Sequence, residues 1–362
     1  MKRLILFPLM LSLNLSFAQK TNRFDSLYSS LFKDKKFNGN VLIAEKGEII
    51  YEQSFGLADQ ETGRKINNNA IFELASVSKQ FTAMGIVLLE KQGKLKYDDP
   101  LAKYIPELSS YKGITILNLL NHTSGLPDYM DFFEKKWDKS RIAVNEDIIN
   151  IFQQLKPKAD FEPNEKYEYS NTGYALLGTI IERVSKESFG GFLKKHIFSP
   201  LKMKNTLVYR SRYQPQVIRN YAKGYETDTV KGLFLPDQMG KDYYTRYLDG
   251  IVGDGMVNSS LEDLLKWDRA LYTNQLIGPE DKEKIFSSYQ TRTGTATNYG
   301  FGWNIEEHKV YGKIVSHDGG WAGYITYFER HLDQDKTIIM LQNHDDVDIP
   351  VTETRKILYN LP

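Results

Sequence analysis

The spacing of apolar residues changes character twice along the chain. From Arg23 to Lys33, Phe24, Leu27 and Leu31 recur at three- and four-residue intervals, which predicts a helix with one apolar face. Asn38 to Ala44 and Glu48 to Phe55 are short strand-like runs, and Lys46-Gly47 between them predicts a hairpin. Helical spacing then takes over: one helix from about Ser76 to Lys91, one after Asn145 as N-cap, and one from about Ser170 to Val184. Ser259 and Glu262 form a capping-box pattern ahead of Leu264, Trp267 and Leu271. Residues 213–250 show no clear period and read as a long loop region. Strand patterns return over Gly300 to Ile305, Val310 to His317, Tyr324 to Arg330 and Thr337 to Gln342, and a helix follows near Val351 to Tyr359.

Strands at both ends with helices between them predict an α/β (α+β) fold. Its antiparallel sheet is formed from N- and C-terminal segments, flanked by helices, with an inserted mainly helical domain. The expected division is a sheet domain over 19–90 and 290–362 and a mainly helical domain with long loops over 91–289. Residues 1–18 read as an export signal: Lys2 and Arg3, a short apolar run from Leu4 to Leu15, and the small-x-small site Ser16-Phe17-Ala18. That run is too short to span a bilayer. An exported protein, periplasmic or secreted and without a stable membrane anchor, is expected.

Composition narrows the chemistry. Of the 362 residues, 47 are basic and 46 acidic, a formal net charge of +1, so no charge excess points to nucleic acid. There is no Cys, which excludes disulfides, a Cys nucleophile and thiolate metal sites. The six His residues, including His196, show no His-Glu-x-x-His pairing, and no Gly-x-Ser-x-Gly elbow exists. No metal or cofactor is expected, and the partner is a small-molecule or peptide substrate.

A hydroxyl nucleophile needs a base, an oxyanion stabiliser and a proton route to the leaving group. Ser76 and Lys79 share a face if a helix starts there, and the helix dipole favours negative charge developing on the Ser76 Oγ. Ser-x-x-Lys also occurs at Ser30-Lys33, Ser109-Lys112 and Ser199-Lys202. Ser76 differs in leading straight into the apolar run Phe81 to Val87, with small Ala75 and Val77 beside it. Downstream, Tyr169-Ser170-Asn171 offers a hydroxyl to relay a proton and an amide to orient Lys79 and a carbonyl. His317-Asp318-Gly319-Gly320 is expected to end a strand and enter a turn, its glycines admitting a ligand. The N–H groups of Ser76 and Gly320 are the candidate oxyanion hole, and His317, Gly319 and Gly320 are candidate substrate-binding residues. His122-Thr123-Ser124-Gly125 reads as a helix end, and Glu162 and Glu165 as surface positions on a turn.

Ser76-Val77-Ser78-Lys79, Tyr169-Ser170-Asn171 and His317-Asp318-Gly319, in that order, resemble the three motifs of class C β-lactamases and the related penicillin-binding esterases and D-alanyl-D-alanine peptidases. His122 to Pro127, Asn171 to Tyr174, Tyr299 to Trp303 and Gly319 to Gly323 are similar to further stretches of that family. The resemblance implies a sheet domain and a helical domain with the active site between them, and a covalent acyl-enzyme. It makes Ser76 the nucleophile, gives base duty to Lys79 and Tyr169, and has Asn171 orient the substrate. The third motif usually begins Lys, then Thr or Ser, then Gly; here His317 and Asp318 stand in those places. Recognition of a substrate carboxylate is therefore expected to be weak, and esters, amides or peptides are favoured over β-lactams. The competing expectation is a penicillin-binding or sensing protein of the same fold with negligible turnover.

Overall fold

The computed structural model describes the backbone of residues 6–230 and 232–362 and the side chains of residues 19–230 and 232–362. The expected leader over 1–18 lies outside the described side chains. Helix α1 (Leu6–Lys33) precedes the hairpin of β1 (Gly39–Glu45) and β2 (Glu48–Phe55). Lys46 and Gly47 both have positive φ, 53° and 80°, the turn geometry whose twist suits paired strands. A two-residue strand, β3 (Phe72–Glu73), leads into the 3-10 turn Ala75–Ser78 and helix α2 (Lys79–Lys91). Helices α3 (Ile116–Leu120), α4 (Tyr129–Lys136), α5 (Asn145–Leu155) and α6 (Asn171–Ser185) follow. After β4 (Val257–Ser259) and α7 (Leu261–Tyr272) come β5 (Asn304–His308), β6 (Gly312–Trp321), β7 (Tyr324–His331), β8 (Lys336–Gln342) and α8 (Val351–Leu358).

The six long strands form one antiparallel sheet in the order β5-β6-β7-β8-β1-β2, so β8 joins the C-terminal meander to the N-terminal hairpin. The alternation of side chains along a strand divides the core in two. Val41, Ile43, Tyr51, Ile338 and Met340 meet Phe24 and Tyr28 of α1 and Leu358 of α8. Leu42, Ala44, Phe328, Ile339 and Leu341 face the larger core, which contains α2, α6 and α7. Helix α7, although it falls within 91–289, packs on β8 and β1. There the buried Arg330 of β7 pairs with the buried Asp268 of α7 at 2.6 Å. Among the described residues no helix is long and apolar enough to cross a membrane.

Several local expectations are corrected. Asn145 is the first residue of α5, not its cap: its amide donates to Ala175 O at 2.7 Å and Val252 O at 2.8 Å, cross-chain partners that spacing does not reveal. Ser259 belongs to β4, and Ser260 is the N-cap of α7. The strand expected over Gly300 to Ile305 starts only at Asn304, because Gly302 turns the chain with φ 79°. The strand expected to end at His317 continues to Trp321, and the turn falls at Ala322-Gly323 instead. Residues 213–250 are mostly irregular but hold a small hairpin, Glu226–Asp228 with Gly232–Phe234, a 3-10 turn, Pro236–Met239, and an α-helical turn, Tyr244–Tyr247.

Candidate active site

Ser76 is delivered by β3, which pairs with β4 so that Glu73 stands opposite Asn258. Immediately before it, Ala75 has φ 48°, a left-handed conformation costing a residue with a Cβ roughly 1–2 kcal/mol. Flanking contacts impose it: Leu74 N–H donates to Val257 O at 2.8 Å, and Leu74 O accepts from Thr326 Oγ1 at 2.8 Å. Ser76 lies in the first turn of the 3-10 helix, where a backbone N–H has no intrahelical acceptor.

Lys79, one 3-10 turn on, is 0% exposed. Its Nζ donates to Ser76 Oγ at 3.1 Å, Asn171 Oδ1 at 2.9 Å and the main-chain O of Asp254 at 2.9 Å. Gly302 closes over this end of α2: a Cβ there would sit 2.8 Å from Lys79 O. Asn171 opens α6, and its N–H donates to Asp128 Oδ2 at 2.8 Å while Asp128 Oδ1 caps α4 through Met130 N at 3.0 Å. One carboxylate thus anchors two helix N-termini beside the site.

Tyr169 is 38% exposed, with its ring centroid 4.9 Å from Lys79 Nζ. Its hydroxyl makes no hydrogen bond among the described residues. Behind it lies an aromatic bed. The His122 ring is 4.3 Å from the Tyr169 ring, and His122 Nδ1 accepts from Ser170 N–H at 3.2 Å. His122-Thr123-Ser124-Gly125 is therefore a chain reversal after α3 that also supports Tyr169. Glu162 and Glu165 stay on a turn, where Glu165 pairs with Arg292 at 3.4 Å.

The structure does not present His317 to the cleft as a substrate-binding residue would be. It is 2% exposed, with Nε2 3.0 Å from the Tyr299 hydroxyl and Nδ1 2.6 Å from Asp318 O. Burial and the nearby Lys79 charge push its pKa down to about 4, so the imidazole is neutral at pH 7. Period-two alternation turns Asp318 outward, and it is exposed. Gly319 points inward, where a Cβ would sit 2.3 Å from Leu74 O and 2.3 Å from Thr326 Oγ1. Gly320 points outward with nothing within 4 Å. β5 pairs with β6 only as far as Ser316, so among the described residues this stretch of β6 has no strand partner on that side, and it faces the 3-10 turn that carries Ser76.

Ser76, Asn171, Gly320 and Trp321 share the wall of a cleft of about 930 Å³. The family model described as Beta-lactamase matches residues 24–359. The chain belongs to the Beta-lactamase family. Members similar to it include "Penicillin-binding protein 4*" of Bacillus subtilis, 45% identical over 328 residues, covering 90% of this chain and 72% of that one. The chain spans 64% of the length of another curated Bacillus subtilis relative that it matches. Among solved structures, the octameric penicillin-binding protein homologue from Pyrococcus abyssi superposes with a TM-score of 0.78 at 26% identity, covering 93% of this chain and 76% of that one. The D-amino acid amidase from Ochrobactrum anthropi shares the fold, with a TM-score of 0.75 at 22% identity, covering 94% and 99%. The family is one of serine hydrolases, and the mixed α/β architecture with its antiparallel sheet is the family's fold.

Sequence reasoning missed Asp254, Asp128 and Glu73. The signal for Asp254 was its flanking glycines: Gly253 has φ 106°, and a Cβ there would lie 2.3 Å from Tyr174 O. Nothing in the local pattern marks Asp128 or Glu73.

Proposed function

We propose that this member of the Beta-lactamase family is an exported hydrolase that forms an acyl-enzyme on Ser76 from an ester, amide or peptide. The reading rests on one contact, Lys79 Nζ 3.1 Å from Ser76 Oγ. Two further acceptors hold that nitrogen in place, so proton transfer to it needs no rearrangement. Ser76 Oγ attacks the substrate carbonyl carbon and passes its proton to Lys79 in the amine form. The N–H groups of Ser76 and Gly320 receive the developing oxyanion. Lys79 and Tyr169 return the proton to the leaving group, Asn171 orients the acyl chain, and a water deprotonated by the same pair releases the product. Export is supported by the leader pattern at Lys2 to Ala18, and N-terminal sequencing of the protein recovered from outside the cytoplasm tests it.

The discriminating experiment is a panel of a short-chain nitrophenyl ester, a D-Ala-D-Ala peptide and a chromogenic cephalosporin, run on wild type and on Ser76→Ala. Turnover and covalent labelling should both vanish in Ser76→Ala. Equal turnover by the variant would refute the mechanism, and a stoichiometric burst without steady turnover would identify a binding protein instead.

A further inference from the structure

The wall of the Ser76 cleft is unusually one-signed. Eight of its lining residues are carboxylates, against one lysine, Lys139. Acidic surface alone is commonplace, but Glu73 is different. It is 8% exposed, it lines the cleft three residues before Ser76, and its carboxylate has no hydrogen-bond or ion-pair partner among the described residues. Arg212 is the cation whose field reaches it, and that guanidinium is already engaged by Asp237 at 2.5 Å and Asp249 at 3.1 Å. Burial and Asp249 push the Glu73 carboxyl up to about 8. At neutral pH Glu73 therefore mostly holds its proton, and an incoming cation favours release of that proton to solvent and pairs with the carboxylate left behind.

The neighbouring wall suits such a group. Tyr244 and Trp321 both line the cleft and meet edge to face at 4.9 Å. Their faces attract a cation electrostatically. Glu226, on the same wall, is held by the Tyr243 hydroxyl through both of its oxygens, at 2.8 and 2.7 Å, which fixes a second acidic group beside the rings.

We infer that the cleft selects substrates bearing a cationic nitrogen, a primary ammonium or a guanidinium, seated against Glu73 and the Tyr244–Trp321 wall. This rests on the reading of Ser76 as the nucleophile. The Cα atoms of Glu73 and Ser76 are at most about 10 Å apart, so a chain of four to six carbons between the scissile carbonyl and the nitrogen spans the distance.

Affinity is measured first, by calorimetry on the Ser76→Ala protein, so that binding is read whether or not Ser76 carries turnover. The probes are 6-aminohexanamide, 6-hydroxyhexanamide and the monoamide of adipic acid. The ammonium compound should bind roughly ten-fold tighter than its hydroxyl counterpart, with the carboxylate weakest. Adding Glu73→Gln should bring the ammonium advantage to within about two-fold. Trp321→Leu, which keeps an apolar wall and does not depend on Glu73→Gln folding, should also reduce it. Equal affinity for the three probes, or an ammonium advantage that survives both variants, overturns the inference. The corresponding nitrophenyl esters are then given to wild type. If the affinity order holds and no ester is hydrolysed, the hydrolase reading fails and the cation site stands.

Discussion

Gly319→Ala tests how closely β6 must approach the turn that carries Ser76. An added Cβ would lie 2.3 Å from Leu74 O and from Thr326 Oγ1, where real Cβ contacts stop near 3.0 Å. One obstacle is backbone, so no rotamer change relieves the clash, and the edge must retreat by about 0.7 Å or more. That movement breaks the Thr326 Oγ1 hydrogen bond to Leu74 O, now 2.8 Å. Losing the bond costs about 1 kcal/mol, and overpacking adds about 1–3 kcal/mol, for a central figure of about 3 kcal/mol. At about 2.1 cal/mol/K per residue, 362 residues unfold with an entropy of about 0.76 kcal/mol/K, so Tm falls by about 4 °C. A displacement approaching 1 Å between Ser76 and the β6 edge is expected to lower kcat/KM on a nitrophenyl ester by up to about 100-fold. Calorimetry and steady-state hydrolysis read the two effects. Gly320→Ala is the stability control, since nothing lies within 4 Å of its added Cβ and its Tm should not change. A Gly319→Ala protein with Tm within 1 °C of wild type and hydrolysis within two-fold would refute the close approach.

Other consequences are measurable. Lys79→Met removes the group nearest Ser76 Oγ and should lower kcat by about 10²–10⁴-fold, read as slowed acylation in single-turnover assays. The buried His317, with its pKa lowered to about 4 from 6.5, binds its proton more readily in the unfolded chain. Stability should therefore rise with pH between about 4 and 6.5 and be lost as pH falls through that window. His317→Gln should flatten that slope in part but not abolish it, because His122 and His344 are also lowered; an unchanged slope in pH-dependent urea titrations would contradict the assignment. Glu73, raised to about 8, has the opposite sign: its native state holds a proton that the unfolded state releases, so Glu73→Gln should raise Tm at pH 9 more than at pH 5. Asp268→Ala leaves Arg330 buried and unpaired, and chemical denaturation should show a loss of about 3–5 kcal/mol.

Much of the framework was legible because its causes are local. Lys46-Gly47 supports only a tight turn between two strand-forming runs, and the hairpin registers there. The apolar run after Lys79 has nowhere to go but a helix buried in the large core, and α2 is buried over most of its length. Ser76, Lys79 and Asn171 could be named because a short ordered series of motifs carries them, and they converge at Lys79 Nζ.

What the sequence by itself determined is the order of elements and the residue types available to a hydroxyl nucleophile, both of which depend on neighbours along the chain; strands at both ends also implied one shared sheet, but its register, Gly39 opposite Gln342, is set by packing. Tertiary structure decided the rest. His317 looked like a ligand-facing residue at a strand end. It became a buried neutral ring because β6 runs on to Trp321 and alternation turns His317 toward Tyr299 and Asp318 toward solvent. Glu73 looked like an ordinary strand residue and became an unpartnered carboxylate at the cleft, since its surroundings come from β4, the 210s and the 240s. The third acceptor of Lys79, Asp254 O, lies 175 residues away. Partners so distant are joined only by packing, which no local period encodes.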